Sequence, residues 1–155
     1  MSLLVIQPLL IGGILPGFSA SQRQWLHRIV GGLLVIAILV HVFGLWITSP
    51  PDVVDALLFR SPTPFSAWGV IAMLAVFGAA ALAVLRRRLH IKPAVWRLGH
   101  TGLVTLAVAG SVVHAVLIDG TMEPISKIAL CGVVLGATLG VVMKRRAWKA
   151  LRRVR

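Results

Sequence analysis

Acidic side chains are nearly missing from this chain, whose 155 residues include only Asp52, Asp55, Asp119 and Glu123. Charged residues of both signs reach 13%, against about 25% in an ordinary globular protein. That is too few to coat a soluble domain of this size. Cysteine is also scarce, and a lone Cys131 excludes an internal disulfide. The N-terminus lacks the basic start of a secretory signal. No low-complexity segment and no Gly-rich dinucleotide fingerprint is present.

What remains is apolar: 58% of the residues are hydrophobic, and they arrive in blocks. A bilayer core requires roughly 20 predominantly apolar residues in a helix. The segments 29–48, 65–85, 98–118 and 128–143 contain no Asp, Glu, Lys or Arg. The last is short, but residues 125 and 126 extend it if Lys127 snorkels to the interface. A fifth apolar segment, 3–14, is shorter and contains Pro8, so it is expected to span only in part. The fold class expected is all-α: a polytopic transmembrane bundle over residues 1–143, with four clear spans plus a short N-terminal fifth, followed by a basic tail over 144–155.

The net charge of +12 raises nucleic acid as a partner, but its distribution excludes that reading. Two bases lie in 17–28 (Arg23, Arg28), five in 86–97 (Arg86, Arg87, Arg88, Lys92, Arg97) and seven in 144–155. An even number of spans separates these segments, so they share one side, while all four acids lie in the two loops on the other. This is the positive-inside pattern. It predicts a cytoplasmic C-terminus in a cell membrane, with a bacterial inner membrane as the expected location. Trp25, Trp46, Trp68, Trp96 and Trp148 fall at span ends, as interfacial belts require. The loop over about 49–64 carries four prolines and is expected to cap the outer face.

Four of the five histidines form a pattern. His27 and His41 are 14 residues apart, and so are His100 and His114. At ~100° and ~1.5 Å per residue, 14 residues return to within about 40° of the same helix face, some 21 Å further on. One span separates the two His-bearing helices, so they run in the same direction. Equal spacing on parallel helices then predicts two facing pairs, His27 with His100 and His41 with His114, stacked along the membrane normal. Ionisable residues within a membrane are costly and mark function. Neutral imidazole is a good ligand for haem iron, and helix bundles build cofactor sites from facing helices.

Glycines 31, 32, 44, 99, 102 and 110 lie near these histidines and are expected to leave room for a porphyrin. Arg23, Arg28 and Arg97 lie where they can pair with the propionates of an inner haem. With no C-x-x-C-H run, the expected cofactors are two haem b groups. Helix–helix hydrogen bonding is the ordinary role of a single membrane histidine. Zinc prefers four ligands converging on one point, which ~21 Å gaps forbid. A proton relay does not require equal spacing. His90, among Arg86–Arg88 and Lys92, reads as a solvated interfacial residue. Gly132, Gly136 and Gly140 form a small-residue stripe, expected to pack inside the bundle rather than to form a dimer face.

Trp25-Leu26-His27-Arg28 with Gly31 and His41, Trp96-Arg97-Leu98-Gly99-His100 with His114, and Asp55-Ala56-Leu57-Leu58 before the middle span together resemble the ferric reductase-like transmembrane domain family. That family includes the membrane parts of ferric reductases and NADPH oxidases, and the haem subunit of bacterial methionine sulfoxide reductase systems. The resemblance covers about residues 1–143. It implies six helices with ligand histidines on the third and fifth, which makes segment 3–14 the second helix and leaves no equivalent of the first. It further implies electron transfer from a cytoplasmic flavin- or nicotinamide-linked donor protein to an acceptor on the outer face. The chain is then the electron-transfer component of an oxidoreductase, with no catalytic acid–base or nucleophilic residues of its own. Two other functions stay open on the sequence: a quinol-linked di-haem cytochrome b, similar to b561-type subunits, and a haem-free transporter or scaffold. The basic loop and tail suit an acidic flavoprotein or anionic lipid but also follow from topology alone. A dimer or larger membrane complex stays open too.

Overall fold

Proline and serine set where the helices begin. In the computed structural model, which describes residues 1–120 and 123–145, the helices are α1 (Ser2–Gly12), α2 (Ala20–Thr48), α3 (Pro50–Leu57), α4 (Pro64–Leu85), α5 (Pro93–Leu117) and α6 (Pro124–Arg145). Four of them open on a proline, whose missing N–H costs nothing in the first turn and whose φ is already helical. Helix α2 starts instead with a capping box: Ser19 Oγ accepts from the Gln22 N–H, and Gln22 Oε1 accepts from the Ser19 N–H. These starts lie outside the apolar segments, so each helix begins before its apolar stretch does. Within the described residues no strand is present.

Helices α2, α4, α5 and α6 contain 29, 22, 25 and 22 residues. At ~1.5 Å per residue each exceeds the ~30 Å hydrocarbon core. All four are long and apolar enough to cross a membrane, and the chain is an all-α integral membrane protein in contact with the lipid bilayer. Helix α1, with 11 residues, reaches only about half-way through such a core. The Pro-rich 49–64 segment is not all loop. Pro50 and Pro51 start α3, and the Asp52 carboxylate accepts from Ser49 Oγ at 2.6 Å.

Lipid removes the hydrophobic drive between helices, so close approach must hold them together. The tightest contact is the antiparallel pair α4–α5. A Cβ on Gly110 would lie 3.1 Å from Ala72 Cβ and from the Trp68 carbonyl, and 3.3 Å from the Ala72 nitrogen. Only hydrogen fits there. Ala75 and Val76 of α4 meet Ala107 of α5, and Leu34, Val35 and Ile38 of α2 pack onto this cluster. A second cluster joins Leu4 of α1, Val108 of α5 and Val134 of α6. A Cβ on Gly12 would lie 2.7 Å from Val141 Cγ2, which fixes how closely α1 meets α6.

Two lysines tie helix ends together. Lys144 Nζ donates to the Gly12 carbonyl at 3.2 Å, and Lys127 Nζ donates to the Ile118 carbonyl. Both satisfy carbonyls at the C-terminal ends of neighbouring helices, where the dipole favours a cation. Lys127 does not simply snorkel; it is anchored. The glycine stripe on α6 also differs from expectation. Gly132, Gly136 and Gly140 have nothing within 4 Å of an added Cβ, whereas Cys131, Val134, Thr138 and Val141 are buried. The helix is rotated so that its β-branched face packs and its glycines look outward. Residues 146–155, most of the basic tail and including Trp148, lie outside the described residues.

Two predictions follow from this packing. Gly110→Ala pushes a methyl against backbone atoms that cannot turn aside. It should destabilise the bundle by about 1 kcal/mol or more, while Gly136→Ala should be neutral or stabilising by up to ~1 kcal/mol. Unfolding in mixed micelles checks the pair, and equal effects would contradict the packing.

The second concerns Glu123, outside the span, whose carboxylate accepts from the N–H groups of Ser126 (2.9 Å) and Ile125 (3.2 Å). These bonds, Ser126 first, hold its pKa below the usual carboxylate value. A lowered pKa contributes stability above the unfolded value that is lost as pH falls through the folded one. Hydrogen exchange at Ile125 and Ser126, relative to intrinsic rates, should therefore accelerate on acidification, and Glu123→Ala should reproduce this at neutral pH.

Candidate functional site

The α4–α5 contact positions two of the four patterned histidines. His100 Nδ1 lies 3.3 Å from the Ala79 carbonyl, and His114 Nδ1 lies 2.7 Å from the Phe65 carbonyl. A carbonyl can only accept, so each Nδ1 carries the proton and donates it. Each Nε2 of the neutral ring then presents a lone pair. Metal-ligating histidines are typically held in this way, with the far nitrogen donating to a carbonyl that fixes tautomer and ring orientation. The room for His114 comes from Gly69: a Cβ there would lie 2.7 Å from its Nδ1. Phe65 packs edge-on against the same imidazole at 5.9 Å between centroids.

At the other end of α5, His100 meets His27 of α2. Their ring centroids are 6.4 Å apart and their planes cross at 73°. Two imidazoles bound through nitrogen to one first-row metal, at ~2.1 Å each, place their centroids roughly 6–6.5 Å apart. The observed separation admits a single metal centre between the rings. The donor set suits haem iron, since two imidazoles satisfy both axial positions. Within the described residues no three His, Cys, Asp or Glu side chains converge, so the four-ligand set favoured by zinc is not formed there.

The outer pair is arranged differently. His41 is exposed on α2, and within the described residues no ring contact joins it to His114. It sits on a helix with none of its 29 residues buried. The apolar contact of α2 with α4 and α5 is made through Leu34, Val35 and Ile38, between the two histidines of that helix. A patch of apolar side chains therefore lies between the levels of the two α2 histidines.

The glycines near the histidines divide into two groups. Gly110 is filled by α4, and a Cβ on Gly99 would lie 3.2 Å from Leu82 Cδ2, so both serve helix packing rather than space for a ring. A Cβ on Gly31 would lie 3.2 Å from Gln7 Nε2. A Cβ added at Gly32, Gly44 or Gly102 would meet nothing within 4 Å, and all three are exposed. Among the arginines, Arg23 donates to the Phe18 carbonyl and turns toward the α1–α2 connection. Arg28 donates through Nε to the Gln24 carbonyl at 3.3 Å and is exposed, as is Arg97. His90 is exposed, with φ 49° in the tight α4–α5 turn.

Sequence reasoning missed three contacts around the inner pair. Trp96, expected only as a belt residue, stacks on His100 with centroids 5.4 Å apart and planes 14° from parallel. The Arg86 guanidinium lies 4.4 Å from the Trp96 ring centroid. Gln7 of α1 donates to the His27 carbonyl at 3.4 Å. The signals were there. Trp96 and His100 are at i and i+4, the spacing that brings side chains together on a helix, and Gln7 is the one amide inside an otherwise apolar segment. No family model, curated protein or solved structure matches this chain, so its chemistry is argued from its own residues.

Proposed function

We propose that this protein carries electrons across the membrane through two haem b groups, one held by His27 and His100 and the other by His41 and His114. One observation carries the reading: two parallel helices bear histidines at matched intervals, and the inner pair stands 6.4 Å apart. The tautomers set at His100 and His114 by the α4 carbonyls support it. Held by these imidazoles, haem iron would supply one-electron redox chemistry.

The protein's own residues perform the remaining tasks. The α5 imidazoles are fixed against α4, and His27 meets His100 from a helix that contacts the bundle at mid-height. The cluster of Leu34, Val35, Ile38, Ala75, Val76 and Ala107 keeps water from the space between the two levels. Arg28 and Arg97, exposed at the inner end, suit the propionates of an inner haem, where a guanidinium can meet a carboxylate with two bonds. Arg23 is committed to Phe18 and contributes positive charge nearby.

In this reading the basic end is cytoplasmic, and the electron donor is a flavoprotein linked to a nicotinamide. The acceptor meets the outer face. The positive-inside distribution supports that orientation, and the scarcity of acids favours an acidic donor by charge complementarity.

Purified protein from haem-replete cells should show a reduced b-type absorption band and about two haems per chain. His27→Ala and His100→Ala should each remove the inner haem, and His41→Ala and His114→Ala the outer. A colourless preparation would defeat the proposal, and separate haems lost from His41→Ala and His114→Ala would defeat the pairing. The donor is tested in oriented vesicles. Reduced flavoprotein added at the basic face should reduce the haems rapidly, and added at the acidic face should not. Fast reduction by quinol with no response to flavoprotein would instead identify a quinol-linked cytochrome.

A further inference from the structure

Four groups line up at the basic end of the bundle: Arg86, Trp96, His100 and His27. The order comes from the α4–α5 turn. Arg86 is the residue that ends α4, and the chain folds back so that the Ile91 N–H donates to the Arg86 carbonyl at 3.2 Å. Trp96 falls in the first turn of α5, and its amide donates to the Lys92 carbonyl at 3.0 Å. His100 follows one helical turn later, on the same face. Arg86 therefore approaches the Trp96 ring at 4.4 Å and Trp96 lies nearly flat on His100.

The indole N–H of Trp96 is buried with no hydrogen-bond partner. A belt tryptophan normally turns its polar edge to water or headgroups. Here the ring is held by its faces instead: an aromatic face prefers a cation on one side, and an offset aromatic partner lies within the normal stacking range. His100 is thereby fixed at two places, its Nδ1 by the Ala79 carbonyl and its plane by the indole.

We propose that Trp96 and Arg86 are positioning residues of the inner site: Trp96 locks the plane of the His100 imidazole, and the Arg86 charge, held over the indole, raises the inner haem's reduction potential. This rests on the two-haem reading above. A fixed cation favours whichever redox state is less positive, which is the reduced one. A unit charge some 10–15 Å from the redox centre, at an effective dielectric of about 20, alters its reduction equilibrium roughly six- to seventeenfold.

The experiment is a potentiometric titration with low-temperature EPR on the full-length, haem-loaded protein in nanodiscs. The inner haem is assigned by its loss in His27→Ala. Arg86→Gln should weaken inner-haem reduction by roughly six- to seventeenfold, a fall of about 50–70 mV at 59 mV per decade for one electron. Arg86→Lys should restore most of it, and the outer haem should be unaffected. Arg87→Gln, which makes the same change in net charge one residue away, should shift the inner haem much less. Trp96→Leu should broaden or move the inner haem's low-spin EPR signal, and Trp96→Phe should largely restore it.

If the wild type contains no haem, the electron-transfer reading fails and takes this inference with it before any variant is made. If both haems are present but Arg86→Gln matches the wild type, or Arg87→Gln lowers the potential equally, the role of the stacked charge is overturned while the two-haem reading stands. If Trp96→Leu leaves the inner EPR signal unchanged, or Trp96→Phe is as altered as Trp96→Leu, the positioning role of the indole is overturned.

Discussion

The backbone-to-backbone approach of α4 and α5 is the constraint on which the histidine geometry depends. A buried imidazole N–H in a membrane needs an acceptor, and water is not there to serve. The acceptors are helical carbonyls of α4, those of Ala79 and Phe65. An imidazole on α5 reaches them only if the helices come closer than side chains ordinarily allow. Gly110 brings α5 against Trp68 and Ala72, and Gly69 opens α4 to receive His114. A side chain at either glycine would separate the helices, lengthen the bond at His114 and release its tautomer.

The two histidine helices thus differ in kind. Helix α5 has buried residues at Ala107, Val108 and Gly110 and is fixed against α4, whereas α2 has none and rests on the bundle near its middle. Each proposed pair therefore combines an α5 imidazole bonded to an α4 carbonyl with an imidazole carried by α2. At the inner end the gap between rings is also bounded by α1, because Gln7 reaches across to the His27 carbonyl. At the outer end α1 is absent, since its 11 residues extend only part-way through the bilayer. That half-length helix explains in physical terms why His27 is partly covered and His41 is exposed.

Much of this was legible in the sequence, and the reasons for the remainder are specific. Apolar length identified all four long helices, because a bilayer demands it of any span. The 14-residue interval put two histidines near one face of each helix; the structure brings His27 to His100, while among the described residues no ring contact joins His41 to His114. Helix rotation was not legible. The α6 glycines were expected inside the bundle, yet Val134 and Thr138 occupy that face, since periodicity cannot choose between two apolar faces of one helix. Gly99 and Gly110 were expected to make room for a cofactor; the partner helix uses that room instead. The distinction depends on which neighbour faces each glycine, which is a tertiary fact. Helix α3 was hidden in a Pro-rich loop because proline both breaks helices and starts them.

The basic residues connect orientation with chemistry. Among the described residues, Arg23, Arg28, Arg86, Arg87, Arg88, Lys92, Arg97 and Lys144 lie in segments at one end of the bundle. Several also make individual contacts there: Arg86 with Trp96, Arg23 with Phe18, and Lys144 with Gly12. The four acids lie at the opposite end. In the proposed orientation the inner redox level therefore lies in a more positive surround than the outer, and fixed charge alone makes the inner level the better electron holder. Outward transfer must overcome this difference. The membrane potential works in its favour, because an electron leaving a negative interior gains about 2.3 kcal/mol per 100 mV. A charge-induced difference of several tens of millivolts is smaller than that gain, so the arrangement that orients the protein in the bilayer does not prevent outward flow across an energised membrane.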